Sequence, residues 1–349
     1  MSGEPSDSGP RRPVTLDDVA RVAGVSQPTA SRVLNGSARK VAESYRERVL
    51  QAARELGYTP NLPAQAMARG TSRTIALVLS LISDPYFSAM AAEIMKQAEA
   101  LGLHVSIAVT ERQADRELDL IRELRGQQPR AIILAGTGYV DPPSEQQLID
   151  ELHRYQETGG RVVLISRSDL PFETVDFDNH EGSRQLAREL AALGYQRCLV
   201  LGSGTPLLSM QQRVEGFVTG LVESGVADAA SRVHHPGFSW AGAREFVLGL
   251  SDEELRDLQL VFAVTDDMAL GALAGLRERG LRIPDDMGVA GFDDITTLRD
   301  VVPKLTTVHV ALNAVAQEAV YRATTTDTTL TRRTVPAYPV LRASTPPLS

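Results

Sequence analysis

Apolar side chains recur at two different spacings along the chain, and the spacing changes near residue 75. Leu16, Val19 and Ala23 are spaced as along one face of an amphipathic helix. From Ile75 onward, short unalternated apolar runs, typical of strands buried on both faces, alternate with helix-length amphipathic segments. The pattern therefore predicts a small helical module followed by a much larger α/β region.

Three short helices are predicted within residues 14–58. Thr15 can cap the first helix, and Gly24 ends it. Ser26 can cap the second helix, and the third is predicted over residues 43–56. Two helices joined by a tight glycine-containing turn are the helix-turn-helix geometry, in which the second helix enters a major groove of DNA.

The second helix carries side chains of the types that read duplex DNA. Arg32 can make a bidentate contact to guanine, and Gln27 can pair with the edge of adenine. Pro28 can touch a thymine methyl group, while Thr29 and Ser31 can hydrogen-bond phosphates. On this pattern alone, a helical cap on the larger region remains the alternative to a DNA-binding module.

The larger region is predicted to be a doubly wound α/β fold. Its strand-like runs span residues 75–80, 104–109, 131–135, 162–166, 198–202, 260–264 and 288–292. Segments of helix length separate them, such as residues 86–101, 113–126, 180–193, 209–224 and 266–280. This order implies parallel sheets with right-handed crossovers. The length exceeds what one such sheet usually holds, so we expect two similar lobes with a ligand cleft between them.

Charge is distributed unevenly over the 349 residues. The whole chain has a net charge of -8, but residues 1–73 carry a net charge of +4 and the remainder -12. DNA affinity comes mainly from clustered positive charge, which places any nucleic-acid contact in the helical module. The lone Cys198 cannot form an internal disulfide, and neither a secretory segment nor a membrane span is apparent. We therefore expect a cytoplasmic protein with a disordered polar tail over residues 1–13.

Enzyme motifs are absent from the sequence. It contains no GxSxG, HExxH or GxxxxGK[ST] pattern, and its six histidines are scattered without metal-ligand spacing. Carboxylate doublets at 266/267 and 293/294 bind a divalent cation only when a further ligand joins them. The sequence thus predicts no catalytic residue, metal or cofactor. An α/β sugar-modifying enzyme is kept as the rival hypothesis, since such folds host many reactions.

Two stretches, VTLDDVARVAGVSQPTASRVLNG (14–36) and VAESYRERVLQAARELGYTPN (41–61), resemble the N-terminal region of the lactose-repressor (LacI/GalR) family of bacterial transcription factors. Looser matches continue through DPYF, GFDD and LTTV. The resemblance implies DNA contacts by further residues of the module, namely Thr15, Leu16, Ser26 and Asn35. It also implies a hinge helix within residues 60–73, where Met67 stands in place of a leucine that wedges into the minor groove.

The larger region resembles periplasmic sugar-binding proteins, whose two lobes close on a ligand. The resemblance implies an effector pocket formed by Tyr86, Phe87, Ser166, Phe177, Arg213, Trp240, Asp266 and Asp293. Arginine and aspartate can bridge sugar hydroxyls, and aromatic rings stack on the apolar faces of sugars. Arg213 could instead be a solvated surface charge, and Asp266 could be a helix N-cap. Ser166 stands where the family often has an aspartate, so one ionic acceptor is missing.

Taken together, these observations predict a transcriptional regulator with four segments. We expect a tail over 1–13, a helix-turn-helix domain over 14–59, a hinge and linker over 60–73, and an effector domain over 74–349. Lobe 1 is expected to span about 74–177 and 306–336, and lobe 2 about 178–305 and 337–349. A homodimer or tetramer would bind a palindromic operator in double-stranded DNA and be released by a sugar. A nucleobase effector or a corepressor is the alternative.

Overall fold

The computed structural model describes residues 12, 14–34, 41–59, 72–136, 142–166, 170–205, 207–226, 228–327 and 332–348. The chain divides into two compact units, residues 1–72 and 73–349. Asn35, Met67 and most of the predicted tail and hinge lie outside the described residues.

The first unit contains the three predicted helices, α1 (Leu16–Ala23), α2 (Gln27–Leu34) and α3 (Glu43–Leu56). Thr15 and Asp18 form a reciprocal capping box at the start of α1, with N···O distances of 3.3 and 3.0 Å. Gly24 and Gly57 end α1 and α3 with φ of 63°, a left-handed conformation that costs glycine little. The predicted start and end of α1 and the predicted bounds of α3 are therefore confirmed.

Small apolar side chains form the core of this unit. Its fully buried members are Val19, Ala20, Ala23, Ala30, Val49 and Ala52. Because α2 contributes only Ala30 to that set, most of its surface is left for other contacts.

The second unit begins with strands and helices that alternate along the chain. These elements are β1 (Thr74–Leu79), α4 (Pro85–Ala100), β2 (His104–Val109), α5 (Ala114–Gln127), β3 (Ala131–Ala135), α6 (Pro142–Glu157), β4 (Arg161–Ile165) and β5 (Glu173–Phe177). With β11 (Arg332–Val335) they build a six-stranded parallel sheet in the order β11-β5-β4-β3-β1-β2. We call the part of the molecule built on this sheet the first lobe.

A second parallel sheet follows. Its elements are α7 (Asn179–Ala192), β6 (Cys198–Leu201), α8 (Leu208–Glu223), β7 (Val233–His234), α9 (Trp240–Gly249), α10 (Asp252–Asp257), β8 (Leu260–Ala263), α11 (Asp266–Glu278) and β9 (Gly288–Ala290), with short 3-10 helices at Ala229–Arg232 and Thr296–Asp300. The strands lie in the order β7-β6-β8-β9. We call this part the second lobe, and the predicted doubly wound architecture is confirmed.

Two antiparallel strands connect the lobes near the C-terminus. They are β10 (Thr307–Val310) and β12 (Ala337–Val340). Between them, α12 (Leu312–Thr324) packs against β3, β4 and β5, so the chain returns to the first lobe before leaving it again. With the link between β5 and α7, three chain segments join the lobes.

The sequence pattern did not predict every element. β5 reads ETVDF and carries two acidic residues, yet all five of its residues are buried. Glu173 is accommodated because Arg161 and Arg322 pair with its two carboxylate oxygens. The predicted strand over 288–292 ends at Ala290, because the chain turns beyond it and Asp293 has a φ of 116°. None of the helices in the described ranges combines the length and apolarity that crossing a bilayer requires.

The buried Glu173 cluster predicts a stability difference. Glu173→Ala leaves the guanidinium of Arg322, whose side chain is 10% exposed, without one of its partners. We expect a loss of about 3–5 kcal/mol in the free energy of unfolding, measured by urea denaturation of the full chain. Glu278→Ala, which removes a partly exposed ion pair with Arg244, should lower the free energy of unfolding far less, because solvent screens that pair. Equal losses in the two variants would contradict this account of β5.

Candidate DNA-binding and effector sites

The helix α2 presents most of its polar side chains to solvent. Gln27, Pro28 and Arg32 are exposed, as is Ser26 at the start of the helix. Ser26 Oγ and Thr29 Oγ1 lie 2.9 Å apart and bond each other. The exposed side chains of α2 can therefore enter a groove without disturbing the core beneath.

Four other residues predicted to contact DNA are half-buried, namely Thr15, Leu16, Thr29 and Ser31. The Thr15 hydroxyl belongs to the capping box of α1, and Leu16 packs against the core of the unit. The capping bonds lower the pKa of Asp18 to about 2. Thr15 and Leu16 thus stabilise the start of α1.

A buried ion pair joins helix α8 of the second lobe to the loop after β9. Arg213, on α8, is 2% exposed, and its Nη1 lies 2.9 Å from Asp293 Oδ1. Nε donates to Asn179 Oδ1, and Nη1 donates to the carbonyl oxygen of Val264, both at 2.8 Å. The guanidinium carbon lies 3.8 Å from the ring centroid of Phe292. The alternative of a solvated surface arginine is therefore wrong.

Aromatic rings from the first lobe approach this pair. Tyr86 packs edge-to-face on Phe87 and Phe177, with centroid distances of 5.1 and 6.3 Å. The Phe177 ring lies 5.9 Å from the Arg213 guanidinium carbon, which brings the predicted first-lobe aromatics next to the second-lobe ion pair. Burial raises the pKa of Tyr86 well above its usual value, so its hydroxyl stays protonated.

Ser166 follows β4 with a φ of 62°. Its backbone N–H donates to the carbonyl oxygen of Val175 at 3.0 Å. Its hydroxyl oxygen is buried and makes no hydrogen bond to any described residue. A buried hydroxyl without a partner costs free energy, and a ligand hydroxyl at this position would remove that cost.

Asp266 is fully buried at the start of α11. Thr265 caps α11, so the N-cap alternative for Asp266 is wrong. The Asp266 carboxylate accepts from Thr307 Oγ1 at 2.6 Å and from the Ile295 N–H at 3.0 Å. Both oxygens are bonded within the protein, and burial raises the pKa well above its usual value. Asp266 thus ties the segment after β9 to the connecting strand β10.

Trp240 and Phe238 differ in their relation to the cleft. Trp240 begins α9, is 41% exposed, and has its ring 6.0 Å from the Arg244 guanidinium carbon. Among the described residues, no recorded ring contact or hydrogen bond joins its side chain to Arg213. Phe238 lies instead under the guanidinium of Arg112, which is 4.3 Å from its ring centroid. Arg112 comes from the first lobe, so Phe238 is the aromatic that meets the opposite lobe.

Sequence analysis missed several charged or polar side chains of the cleft, namely Asp84, Arg112, Asn179 and Asp267. Asp84 and Arg112 lie in the loops that follow apolar runs predicted as strands, and the carboxyl ends of parallel strands are where ligands bind in open α/β sheets. Their position after predicted strands could therefore have identified Asp84 and Arg112 as candidate site residues from the sequence.

Carboxyl groups outnumber guanidinium groups in this part of the cleft. Asp84, Asp267 and Asp293 face Arg112 and Arg213. Burial is the largest cause that raises the pKa of each of these carboxyl groups. For Asp293 the pKa rises to about 7, although the Arg213 guanidinium acts in the opposite direction. The cleft can bind hydroxyl groups from both sides but offers no surplus positive charge.

The fold and these two sites define a class of protein, the DNA-binding regulator that carries a small-molecule-binding domain. Residues 15–61 match the model for bacterial regulatory proteins of the lacI family, and residues 187–345 match the model for the periplasmic binding protein-like domain. The transcriptional regulator GalS of Salmonella typhimurium is 35% identical over 308 residues, covering 88% of each chain.

Two solved structures extend the likeness. The lac repressor dimer bound to operator and the anti-inducer ONPF has a TM-score of 0.84 at 26% identity, covering 96% of this chain and 99% of that one. A complex of the regulator CelR with cellobiose has a TM-score of 0.68 at 28% identity, covering 95% and 99%. This chain belongs to the LacI family of bacterial transcriptional regulators, as its sequence motifs predicted.

Gly136 gives a test of how the Phe87 ring is packed. It follows β3 with a φ of 71°, and a Cβ atom there would overlap the ring of Phe87. Gly136→Ala should therefore lower the free energy of unfolding by more than the ~1–2 kcal/mol of left-handed strain alone, measured by thermal denaturation. Gly159→Ala is the matched control, since Gly159 has a φ of 88° with open space around its Cβ position. Equal destabilisation would show that Phe87 is not fixed against Gly136.

Proposed function

We propose that the protein is a repressor that binds a palindromic operator as a homodimer and is released by a sugar held between its lobes. The observation that carries the proposal is the arrangement of α2, which buries Ala30 and exposes Gln27, Pro28 and Arg32. Side chains of these types pair with base edges in a major groove. The positive charge of residues 1–73 supports binding to the phosphate backbone. We place the protein in the cytoplasm, where it can reach DNA.

A two-fold dimer is supported by the edge of the first lobe. β2 pairs only with β1 among the described strands, so one side of its backbone is unpaired. Ile107 on this strand is 40% exposed, and Met95 on α4 and Leu101 just after it are 47% and 58% exposed. An exposed sheet edge with apolar neighbours is a typical association surface. The lac repressor was solved as a dimer on operator DNA, which favours a second copy as the partner here.

A neutral, hydroxyl-rich effector fits the chemistry of the cleft best. Arg213 and Asp293 can hydrogen-bond hydroxyls, and Ser166 supplies a buried hydroxyl. The excess of carboxyl groups disfavours a phosphorylated ligand, because its charge would be repelled by Asp84 and Asp267. The CelR complex with cellobiose supports a sugar. The site binds and does not catalyse in this proposal, and turnover of a sugar would refute that part.

Coupling between the sites is proposed to pass through the connecting strands. The backbone of Asp293 is bonded to a connecting strand, since its N–H donates to the Val308 carbonyl oxygen on β10 at 3.0 Å. Lobe closure around an effector would therefore move β10 and β12 relative to the first lobe. A coupling free energy of about 1–3 kcal/mol between effector and operator is typical of such systems.

The DNA part predicts a loss of sequence specificity. Arg32→Ala should weaken binding to an operator selected from random duplexes by about 1–3 kcal/mol and change random-duplex affinity little, measured by fluorescence anisotropy. Arg54→Ala, in the last turn of α3, is the exposed-arginine control and should leave the ratio of the two affinities unchanged. An equal loss on operator and random duplex would contradict base recognition by Arg32.

The effector part predicts which compounds act. Galactose, cellobiose, glucose 6-phosphate and hypoxanthine are tested for release of the selected operator, and we expect a neutral sugar to act and the phosphate to fail. In calorimetry, Arg213→Ala should lower affinity for the active sugar by about 100-fold or more, because Asp293 loses its partner. Arg188→Ala, exposed on α7, is the control. Release by hypoxanthine or glucose 6-phosphate alone would replace the sugar with another effector class.

A further inference from the structure

An arginine of the first lobe is held by the second lobe at the cleft. Arg112 lies in the loop after β2, and Asp84 lies in the loop after β1, so both belong to the first lobe. Phe238 lies between β7 and α9 in the second lobe. These three residues therefore meet at the carboxyl ends of strands from both sheets.

Contacts with both lobes fix the Arg112 guanidinium. Nη1 donates to the carbonyl oxygen of Phe238 at 2.6 Å, across a separation of 126 residues along the chain. The guanidinium carbon lies 4.3 Å from the centroid of the Phe238 ring. Nη2 lies 3.7 Å from Asp84 Oδ2, and the two side chains are only 22% and 18% exposed. Partial burial strengthens both the charge-assisted hydrogen bond and the cation–π contact.

The backbone of the loop that carries Arg112 is constrained. Glu111 and Arg112 have φ of 53° and 59°, the left-handed region that residues other than glycine adopt at a cost. The neighbouring loop residue Thr110 is fully buried, and its N–H bonds the Leu79 carbonyl at 2.9 Å. The loop is thus anchored on the first lobe while its tip reaches the second.

Charge also makes Arg112 important for closure. Asp84 and Asp267 approach from opposite lobes, and the Asp267 carboxylate adds to burial in raising the pKa of Asp84. Their mutual repulsion opposes closure of the cleft. The Arg112 guanidinium interacts favourably with both carboxylates and offsets this repulsion.

We propose that Arg112 is an interlobe latch, which holds the two lobes together in the effector-free protein through the Phe238 carbonyl and ring. The Arg112 contact then favours the closed form of the two lobes before an effector binds, and effector binding increases the closed fraction further. A mutation that releases the latch shifts the population toward an open form and so weakens any ligand that needs the closed form. The proposal depends neither on DNA binding nor on the identity of the effector.

The distance between the lobes in effector-free protein tests the latch. Spin labels are placed by Glu123→Cys on α5 and Glu253→Cys on α10, both exposed positions. Cys198 is buried, and burial raises its pKa to about 12, so it competes poorly for the label. Pulsed electron resonance is measured on labelled chains diluted with an excess of unlabelled protein.

We expect one short distance in the otherwise unmodified chain. Arg112→Ala should add a longer distance and lower the closed-to-open ratio by about tenfold, the combined effect of losing a charge-assisted hydrogen bond and a cation–π contact. Phe238→Leu keeps the carbonyl and removes the ring, so it should shift the ratio in the same direction by less. If Arg112→Ala is poorly folded by circular dichroism, Phe238→Leu alone decides the outcome.

Arg116→Ala is the matched control. Arg116 bonds Glu111 at 3.0 Å within the first lobe and is partly exposed, so its loss should leave the distance unchanged. A wild-type distance distribution in both Arg112→Ala and Phe238→Leu would overturn the latch. A shift of equal size in Arg116→Ala would overturn it too, because the effect would then belong to the loop and not to the interlobe contact.

Discussion

The buried pair of Arg213 and Asp293 constrains most of the effector domain. Two charges taken out of water are costly unless each finds its full set of partners. Here Asn179, Val264 and the face of Phe292 complete the surroundings of the guanidinium. The helices α7 and α8 and the ends of β8 and β9 must therefore converge at one point. Their convergence places a cluster of buried polar groups where the ends of these elements meet.

The same pair lies next to the strands that join the lobes. Asp294, the neighbour of Asp293, accepts from Arg342 at 2.6 Å and lies 2.8 Å from His309 Nδ1 on β10. Asp266 reaches β10 through Thr307. Asp293 itself donates its backbone N–H to the Val308 carbonyl oxygen on β10, so this loop is bonded directly to a connecting strand. One loop thus carries both the carboxylate that pairs with Arg213 and the contacts to β10.

The two units of the chain differ in net charge and in size. The small basic unit has a core of short side chains and leaves one face of α2 exposed, which we propose contacts DNA. The large acidic unit has parallel strands, of which β3 and β4 are buried on both faces, and parallel strands can hold polar groups at their carboxyl ends. In our proposal Arg112 sets how far the cleft is closed before any effector arrives. Effector sensitivity would then depend on a contact outside the Arg213 pair.

The sequence by itself determined the class of fold, the family and the position of most elements. Unalternated apolar runs mark buried parallel strands, and capping residues such as Thr15 and Gly24 act within a few residues of themselves, so both are readable locally. Arg213 and Asp293 were predicted only through resemblance. Tertiary structure alone decided that Arg213 is buried, that Asp266 bonds Thr307, and that Phe238 meets Arg112. These partners are far apart in the chain, and only the packing of two lobes brings them within bonding distance.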